Sequence, residues 1–597
     1  MSERDRPPTR ANAPSEKAGT AAGKGHALSR RAFLGGASAV AATAGLAACS
    51  PASPSDGGAS GTGAKGGGAA SGNGKPAFLS PPPPPTKIDA EESCEVLVIG
   101  MGLAGTAAAR EATEAGKTVI IAEKQAEQGY TVVNMAGDFG VVGSQVQKDL
   151  GIEWAPKGEI VGQLQKDMTY RSTPALLNYW YDHSGADFDW FIEGADYEVL
   201  PSSAANKSTD KEFYLRPKCF PALEGYDYRT EYYPFFHGTI TTNPNMQWAC
   251  DNSREIAAAQ GARTLFDAAG EQLITDDSGR VVGAYLKSSD GAYTKVNAKA
   301  VILATGDFGN NEEMREYYVP WTLEFQSHYP SLDPTGSPCN TGDGHRMGMW
   351  AGGEMELGPL APMTHHMGGP LGVNAFLQLN LEGKRFMNED IPGQNIADQL
   401  SRQPGRASWQ IFDSKWPEQL LTQPTGHGYV NYFVPDDKIA EYETVLAGFG
   451  LGYTTRAMVE DFEGLLKADS VEELAALMEL DPATVKAEVE RYNGHCAAGY
   501  DEEFGKDKRR LHPVAEPPFY AFKFGTAGML VQMGGLNTDL DMHVLGADGK
   551  PIPGLFTAGN NQGGRFLVEY PVTVAGLSLA CALSFGRLAG KNAAAEV

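Results

Sequence analysis

The sequence predicts an α/β protein, and three neighbouring features near residue 100 indicate this fold class. A short apolar run of strand length, residues 94–99, is followed at once by a glycine-rich turn, 100–105, and an alanine-rich helix over 106–115. A second strand-like run, 118–122, ends at the acidic residue Glu123. A strand, a tight turn and a helix that lead into another strand form the start of a Rossmann-like βαβ unit.

The turn has the spacing of a dinucleotide-binding motif. Gly100 permits the tight turn, Gly102 lets a pyrophosphate approach the backbone, and Gly105 allows the helix to pack closely. Glu123 follows Gly100 by 23 positions, close to the spacing of a carboxylate that accepts ribose hydroxyls. A tight turn without a ligand is the alternative, but the flanking strands, helix and acid favour a dinucleotide site.

Length and composition exclude several classes of protein. A chain of 597 residues exceeds the size of one hydrophobic core, so at least two packed units are expected. A formal net charge of -25 is unsuited to nucleic acid, which requires a basic surface. None of the seven cysteines forms a Cys-x-x-Cys spacing, so zinc ribbons, thioredoxin motifs and c-type haem attachment are not predicted. Most of them are expected to be buried free thiols.

The first 49 residues are predicted to be an export signal. Arg30-Arg31 precedes the apolar run 36–48, which is too short to span a bilayer as a mature helix, and the order resembles a twin-arginine signal. Leu46-Ala47-Ala48-Cys49 is similar to a lipobox, in which Cys49 becomes the lipidated first residue. Ordinary cleavage near the alanine-rich end is the alternative. Residues 50–92, rich in Gly, Ser and Pro, are predicted to be an unstructured tether.

Two later segments distinguish FAD from NAD. The segments 300–306 and 554–560 each read as a strand that ends in glycine, and further landmarks follow in order at 340–344, 383–389, 517–521 and 533–535. With these motifs the chain, from Cys94 to its end, resembles the flavoprotein superfamily of soluble fumarate reductases, succinate dehydrogenase flavoprotein subunits and 3-ketosteroid dehydrogenases. The resemblance implies noncovalently bound FAD.

The resemblance also implies an architecture and a set of cofactor-binding residues. An FAD domain formed by 93–355 and 526–597 would be interrupted by an α+β capping domain, 356–525, with the active site at their junction. The last helix would aim its N-terminus at the flavin, and Arg385 would be structural. The implied FAD-binding residues are Gly100, Gly102, Leu103, Ala104, Gly105, Glu123, Lys124, Ala136, Gly137, Ala304, Thr305, Gly306, Gly342, Asp343, Gly559, Asn560, Gly576, Leu577 and Ser578.

The chain departs from fumarate reductases where they bind a dicarboxylate. After Asn388-Glu389, where they place a catalytic arginine, it reads 390–395 without one. Their His-His pair is replaced within 530–532, and their C-terminal substrate arginine within 569–571. Because a buried carboxylate without a cation is unfavourable, we expect a neutral or larger apolar substrate rather than fumarate.

Three residues are the candidates for catalysis. Tyr570-Pro571 resembles the Tyr-Pro that binds a substrate carbonyl in ketosteroid dehydrogenases, and a phenol is a hydrogen-bond donor at neutral pH. His365 and His366 lie just past the position of the family's substrate-binding histidine and could donate a hydrogen bond or a proton. Each candidate could equally be a packing or loop residue, and the proton donor is not assigned.

These observations favour an exported FAD-dependent reductase that acts in anaerobic respiration. The enzyme is expected to transfer hydride from flavin N5 to an activated C=C bond. The acceptor is expected to be a small organic molecule, an enone or unsaturated acid. One alternative is a 3-ketosteroid-type dehydrogenase running in reverse, although Gly393 stands where those enzymes place a tyrosine. Another is a noncatalytic electron-transfer flavoprotein. Electrons are expected from a separate cytochrome or quinol-linked membrane carrier, at the outer face of the cytoplasmic membrane or in the periplasm, with membrane contact only through Cys49.

Overall fold

The computed structural model describes most of the chain from Pro76 onward. The described residues are 76–133, 137–201, 209, 211–218, 225–325, 327–328, 331–365, 369–426, 428–430, 432–442, 453–525 and 528–597. The predicted signal and the tether up to residue 75 lie outside them. No helix within these ranges is long and apolar enough to cross a membrane.

Strands and helices are interspersed along the chain. The strands are β1 (Ala90–Ile99), β2 (Val119–Ala122), β3 (Asp138–Phe139), β4 (Glu198–Val199), β5 (Tyr214–Pro217), β6 (Ile240–Asn243), β7 (Arg263–Leu265), β8 (Ala269–Thr275), β9 (Val281–Lys287), β10 (Tyr293–Leu303), β11 (Ser327–His328), β12 (Pro362–His365), β13 (Leu377–Asn380), β14 (Ala407–Phe412), β15 (Tyr432–Phe433), β16 (Tyr453–Thr454), β17 (Leu466–Ala468), β18 (Phe519–Gly525), β19 (Gly528–Gln532), β20 (His543–Leu545) and β21 (Pro551–Thr557). The α-helices are α1 (Leu103–Glu114), α2 (Gln145–Asp149), α3 (Lys157–Asp167), α4 (Pro174–Phe191), α5 (Gln247–Ala259), α6 (Glu312–Tyr318), α7 (Asp343–Trp350), α8 (Gly393–Ser401), α9 (Trp416–Gln419), α10 (Arg456–Glu460), α11 (Val471–Leu477), α12 (Pro482–Ala498) and α13 (Leu577–Ala595).

The largest sheet has a parallel centre. Its order is β20-β21-β10-β1-β2-β7, in which β21, β10, β1, β2 and β7 run parallel, and β9 and β8 extend from β10. Alternate side chains of β1 enter two different cores: Val96 and Val98 pack with α1 and α13, whereas Leu97 and Ile99 pack on the opposite face. Because both faces are covered, β1 reads in the sequence as a continuous apolar run.

The contact between α1 and α13 joins the two ends of the described chain. A Cβ atom added at Gly586 would lie 2.4 Å from the carbonyl oxygen of Ala104, and one at Gly590 would lie 2.3 Å from that of Ala108. Side chains at these glycines would therefore separate the helices. The C-terminal helix is held directly against the first helix of the βαβ unit.

The predicted tether is too long at its C-terminal end. Residues Ala77–Leu79 form a short 3₁₀ helix in which Phe78 is buried, and Trp350 Nε1 donates a 2.9 Å hydrogen bond to the carbonyl of Phe78. β1 also begins at Ala90, earlier than expected. The Gly/Pro-rich composition of 50–92 did not predict these contacts, because a single aromatic side chain, Phe78, changes the average composition little. That one side chain nevertheless packs against the folded protein.

A second, antiparallel sheet lies within residues 377–525. Its order is β13-β14-β18-β17, and α11 and α12 pack on it. Arg385 is buried beside it and forms ion pairs of 2.9 Å with Glu389 and 2.8 Å with Asp501. Arg385 thus has a structural role in this segment, as the resemblance implies, because both carboxylates that contact its guanidinium belong to the segment. A smaller sheet, β11-β19-β12, connects this region to the main sheet.

Candidate active site

One elongated cavity opens where the central strands of the main sheet end. Residues following β1, β2, β10 and β21 line it, together with the start of α13. Of the predicted cofactor-binding residues, the lining contains Gly100, Gly102, Leu103, Ala104, Glu123, Lys124, Ala304, Thr305, Gly306, Asp343, Gly559, Asn560, Gly576 and Ser578. Gly105, Gly137, Gly342 and Leu577 are not in the lining, and Ala136 lies outside the described residues.

The first glycine turn is shaped by close backbone contacts. Gly100 has φ +100°, and a Cβ atom there would lie 2.4 Å from the carbonyl oxygen of Ala304. A Cβ atom on Gly105 would lie 1.9 Å from the Gly100 oxygen, so Gly105 serves packing and not the cavity. Gly102 differs, because a Cβ atom there meets nothing within 4 Å and would project into open space. No side chain caps α1 at Gly102, so its first amides remain available to an anion.

Glu123 is held rigidly at the cavity wall. Its two carboxylate oxygens accept hydrogen bonds of 2.9 Å from the backbone amides of Met101 and Gln125. Burial raises its pKa above the usual value, against the effect of these donors. Each oxygen keeps a further lone pair, so the carboxylate can still accept ribose hydroxyls.

Lys124 and Asp343 form a charged contact further along the cavity. Lys124 Nζ lies 3.5 Å from Asp343 Oδ2 and donates a 3.2 Å hydrogen bond to Thr341 Oγ1. Burial opposes ionisation of Asp343, but Lys124 and Arg346 hold its pKa below the usual value. Gly342, with φ +75°, begins α7 and places Asp343 in its first turn.

A second helix N-terminus also reaches the cavity. α13 begins after Gly576, which has φ +73° and no side-chain cap, and a Cβ atom there would lie 2.1 Å from the carbonyl oxygen of Asp138. The Tyr570 hydroxyl accepts a 3.1 Å hydrogen bond from the amide of Ser578 in the first turn. Burial raises the pKa of Tyr570 to about 12, so the phenol stays neutral. Leu577 points into the apolar core instead.

The cavity wall near Tyr570 is apolar. Met363, Leu530, Val531 and Val572 line it, so two of the residues that replace the His-His pair of fumarate reductases face the cavity. The backbone of His365 ends β12 opposite Gly528. Its side chain and all of His366 lie outside the described residues, and their proposed roles stay predictions.

A second cavity adjoins the first. Both cavities are lined by Gln394, Tyr570 and Val572, so these residues mark the border. The second cavity is formed by α3, by the tyrosine-rich segment 228–236, by the start of α8 and by residues 569–573. Its charged lining consists of four acids and two bases, namely Glu159, Asp167, Glu231, Glu569, Lys166 and Arg229.

Ion pairs connect the segment 377–525 to the wall of the second cavity. Glu231 pairs with Arg509 at 2.7 Å and with Arg510 at 2.6 Å. Arg510 is buried and also pairs with Asp390 at 3.1 Å. These contacts cross from the predicted capping segment to the tyrosine-rich segment, and so hold one side of the cavity closed.

Sequence motifs missed several residues of the first cavity. Gln125, Tyr130, Thr131 and Met246 line it without belonging to any predicted motif. Tyr130 is positioned by a hydrogen bond from its hydroxyl to the carbonyl of Met101. Gln394, by contrast, lies within 390–395, the segment that lacks the catalytic arginine of fumarate reductases. The sequence difference in this segment therefore pointed to a residue that does line the site.

The geometry fits a dinucleotide. The uncapped N-terminus of α1, the N-terminus of α13, a glycine that opens onto the cavity and a fixed carboxylate suit a pyrophosphate and a ribose, and the apolar wall suits a flat ring system. These features define the class of dinucleotide-dependent oxidoreductases. The profile of the FAD binding domain family matches residues 95–568, and the chain belongs to this family. It binds FAD and is an FAD-dependent oxidoreductase acting on C=C bonds.

Individual relatives agree with this assignment. The chain is 29% identical over 521 residues to the probable fumarate reductase Ifc3 of Shewanella frigidimarina, covering 84% of this chain and 75% of that protein. It is 26% identical to the vinyl phenol reductase of Lactiplantibacillus plantarum, covering 84% and 97%. The crystal structure of 3-ketosteroid-delta4-(5alpha)-dehydrogenase from Rhodococcus jostii RHA1 shares the fold, with a TM-score of 0.64 and 24% identity over 85% of this chain and 98% of that one.

Substituting Gly102 by valine should abolish FAD binding without disturbing the fold. The backbone of Gly102 is extended and its Cβ position is empty, so valine fits the protein but occupies the space a pyrophosphate needs. We expect FAD affinity to fall at least about tenfold, measured as bound flavin per protein, with an unchanged far-UV circular dichroism spectrum.

A matched control is Gly494→Val in α12, where a Cβ atom also meets nothing within 4 Å. It should retain full FAD content. Normal flavin content in Gly102→Val would show that the pyrophosphate does not approach this glycine.

Proposed function

We propose that this protein reduces the activated C=C bond of a neutral, planar organic acceptor such as an enone or a vinyl phenol, and not fumarate. The observation that carries the proposal is the second cavity, which borders the FAD cavity at Tyr570 and has an acidic, tyrosine-rich lining. The relative named vinyl phenol reductase, matched over 97% of its length, supports a substrate of this kind.

The charge of the second cavity disfavours a dicarboxylate. Even with Glu569 protonated, its other three acids outnumber its two bases, and Arg229 is already paired with Glu159 at 3.0 Å. Two carboxylates brought among these groups would lose hydration and would find too few cations, since Lys166 alone could not match both. A neutral substrate avoids this cost, which agrees with the absence of the fumarate reductase arginines from 390–395 and 569–571.

The shape of the wall favours a flat, partly apolar molecule. Tyr228, Tyr232, Tyr233 and Phe236 line the cavity beside Pro234. Tyrosine faces pack against aromatic and conjugated groups, while their hydroxyls offer hydrogen bonds at the edge. Such a wall binds a phenol or enone through ring contacts rather than through charge.

Tyr570 and the start of α13 would hold the polar end of the substrate. The Tyr570 hydroxyl accepts from Ser578 and retains its own hydrogen, which it can donate to a carbonyl or phenol oxygen as negative charge develops there. FAD, held by the cavity residues beside Gly102, Glu123 and Gly576, supplies hydride from its N5 position when reduced. Residues 356–525 would act as the cap that excludes water from this junction.

The reverse reaction is a second candidate function. Tyr570 would polarise the carbonyl of a ketone equally well in a dehydrogenase, and the solved steroid dehydrogenase has the same fold. The cavity residues serve both directions, because a group that stabilises an enolate does so from either side.

We also propose that the protein is exported and receives electrons from a separate cytochrome or quinol-linked carrier. The pair Arg30-Arg31 and the lipobox-like segment 46–49 support export. The sequence has one dinucleotide motif and no Cys-x-x-Cys-His motif for haem attachment, which supports an external electron donor. Purified protein that is reduced rapidly by NADH would contradict the proposed donor.

Mass spectrometry of the mature protein should find Cys49 at the N-terminus with a covalent lipid. Replacing Arg30-Arg31 by Lys-Lys should block export, because the twin-arginine route reads this pair. A mature chain that begins elsewhere, unlipidated, would leave Cys49 without the anchoring role.

A substrate panel tests the reaction itself. The protein, reduced anaerobically with dithionite, is mixed with fumarate, a cinnamate-type acid, a neutral enone or 4-vinylphenol, and flavin reoxidation is followed by stopped flow. We expect a neutral alkene to reoxidise the flavin at least about 100-fold faster than fumarate, since the cavity has fewer cations than a dicarboxylate needs. Fast reoxidation by fumarate would refute the charge argument, whereas reoxidation by a protein carrier alone would favour the noncatalytic alternative.

Tyr570→Phe should weaken stabilisation of the transition state while leaving binding of the cofactor intact. Loss of the phenolic donor should lower kcat by about 10²-fold with FAD content unchanged. Tyr500→Phe is the control, because Tyr500 is exposed and lines neither cavity, and it should leave kcat unaltered. An undiminished kcat in Tyr570→Phe would make Tyr570 a packing residue.

A further inference from the structure

Glu569 lies where the two cavities meet. Its side chain lines the second cavity, and the next residue, Tyr570, lines both. Glu569 is therefore a carboxyl group at the place where a substrate in the second cavity would face the FAD cavity.

The contacts of Glu569 are neutral. The amide nitrogen of Gln394, in the orientation that satisfies its hydrogen bonds, lies 3.0 Å from Glu569 Oε1 and 3.3 Å from the carbonyl oxygen of Tyr570. Among the described lysines and arginines, none forms an ion pair with this carboxyl group. Gln394 thus donates a neutral hydrogen bond to one carboxyl oxygen, and the backbone amide of Tyr570 is a second neutral donor to the carboxyl group.

Its surroundings keep Glu569 protonated near neutral pH. Burial raises its pKa to about 8, and the negative charges of Asp398 on α8 and Asp167 on α3 add to the rise, whereas a hydrogen bond from the backbone amide of Tyr570 opposes it. The other charged groups around the cavity are Glu159, Glu231, Lys166 and Arg229, and the last is paired with Glu159. A carboxylic acid with its pKa near the working pH is suited to general acid catalysis.

Other groups near the border are less suited to give up a proton. Asp167 accepts hydrogen bonds of 2.8 Å from Thr573 and 2.7 Å from Gln163, one on each oxygen. The phenol of Tyr570, with a pKa of about 12, is a weak acid that can stabilise charge by hydrogen bonding. Glu569 receives its hydrogen bonds from neutral donors and lines the second cavity.

We propose that Glu569 is the proton donor of the reduction. This inference rests on the proposed alkene reduction. Glu569 breaks its O–H bond and gives the proton to one alkene carbon, while hydride from reduced FAD forms the C–H bond at the other. The alkene gains two electrons, the flavin loses two, and the resulting Glu569 carboxylate takes a new proton from water through the cavity. In the dehydrogenase direction the same carboxylate is the base.

The sign of the pH dependence follows from this role. The acid is active only while protonated, so reduction should be fast below about pH 8 and fall about tenfold per pH unit above it. In Glu569→Gln this fall at high pH should disappear, because the titrating group is gone.

The test uses the FAD-loaded, full-length protein and a neutral alkene that reoxidises the wild type. Glu569→Gln should lose at least about 100-fold in the rate of reoxidation by the alkene, and Glu569→Asp should recover part of it. Bound FAD, reduction by dithionite and the Kd of the saturated product should change little. Glu490→Gln, exposed on α12, is the matched control and should behave as wild type.

Infrared difference spectroscopy gives a readout that does not depend on turnover. The oxidised wild type should show a carboxylic acid C=O band that titrates near pH 8 and is missing in Glu569→Gln. A variant that keeps the wild-type rate and its pH profile would overturn the proposal, as would loss of product binding equal to the loss of rate. If the wild type is reoxidised by no alkene, the proposed function itself has failed, which is a distinct result.

Discussion

The close backbone contact between α1 and α13 is the constraint on which the rest of the site depends. Gly586 and Gly590 let the last helix lie against the carbonyls of Ala104 and Ala108, and Gly105 lets α1 lie against the first turn. Glycine is needed because any side chain would occupy the position of a backbone oxygen. The contact brings the N-termini of two helices, from distant parts of the described chain, to the same cavity.

The site combines two environments that a single pocket could not provide. The FAD cavity presents helix N-termini and Lys124, which suit an anionic cofactor. The adjoining cavity is acidic and suits a neutral molecule. Tyr570 and Gln394 separate them, so the electrostatic preference for the cofactor and that for the substrate are set by different side chains and can change independently.

The sequence predicted the elements whose signals are local. β1, α1 and β2 were expected within a few residues of their observed bounds because apolar runs, glycine turns and helix starts are read over short windows. The second cavity could not be found this way, since residues 392–395 and 569–573 meet only when the segment 377–525 docks on the main sheet. In the sequence Glu569 stood out only as part of 569–571, where the substrate arginine of fumarate reductases is replaced, whereas its contact with Gln394 and its acidic neighbour Asp398 depend on that docking. The burial of Phe78 was likewise not predicted, because the residues around it in the sequence are mostly Gly, Ser and Pro.

The ion pairs of Glu231 have a consequence for the timing of turnover. Glu231 belongs to the wall of the second cavity, while Arg509 and Arg510 belong to the segment 377–525. A movement of that segment away from this wall would separate these charges and hydrate the buried Arg510, and mobile ions stabilise charges once they are exposed. Ionic strength should therefore act on the release of product more than on the chemical step, so that salt sets how long a finished molecule stays in the enzyme.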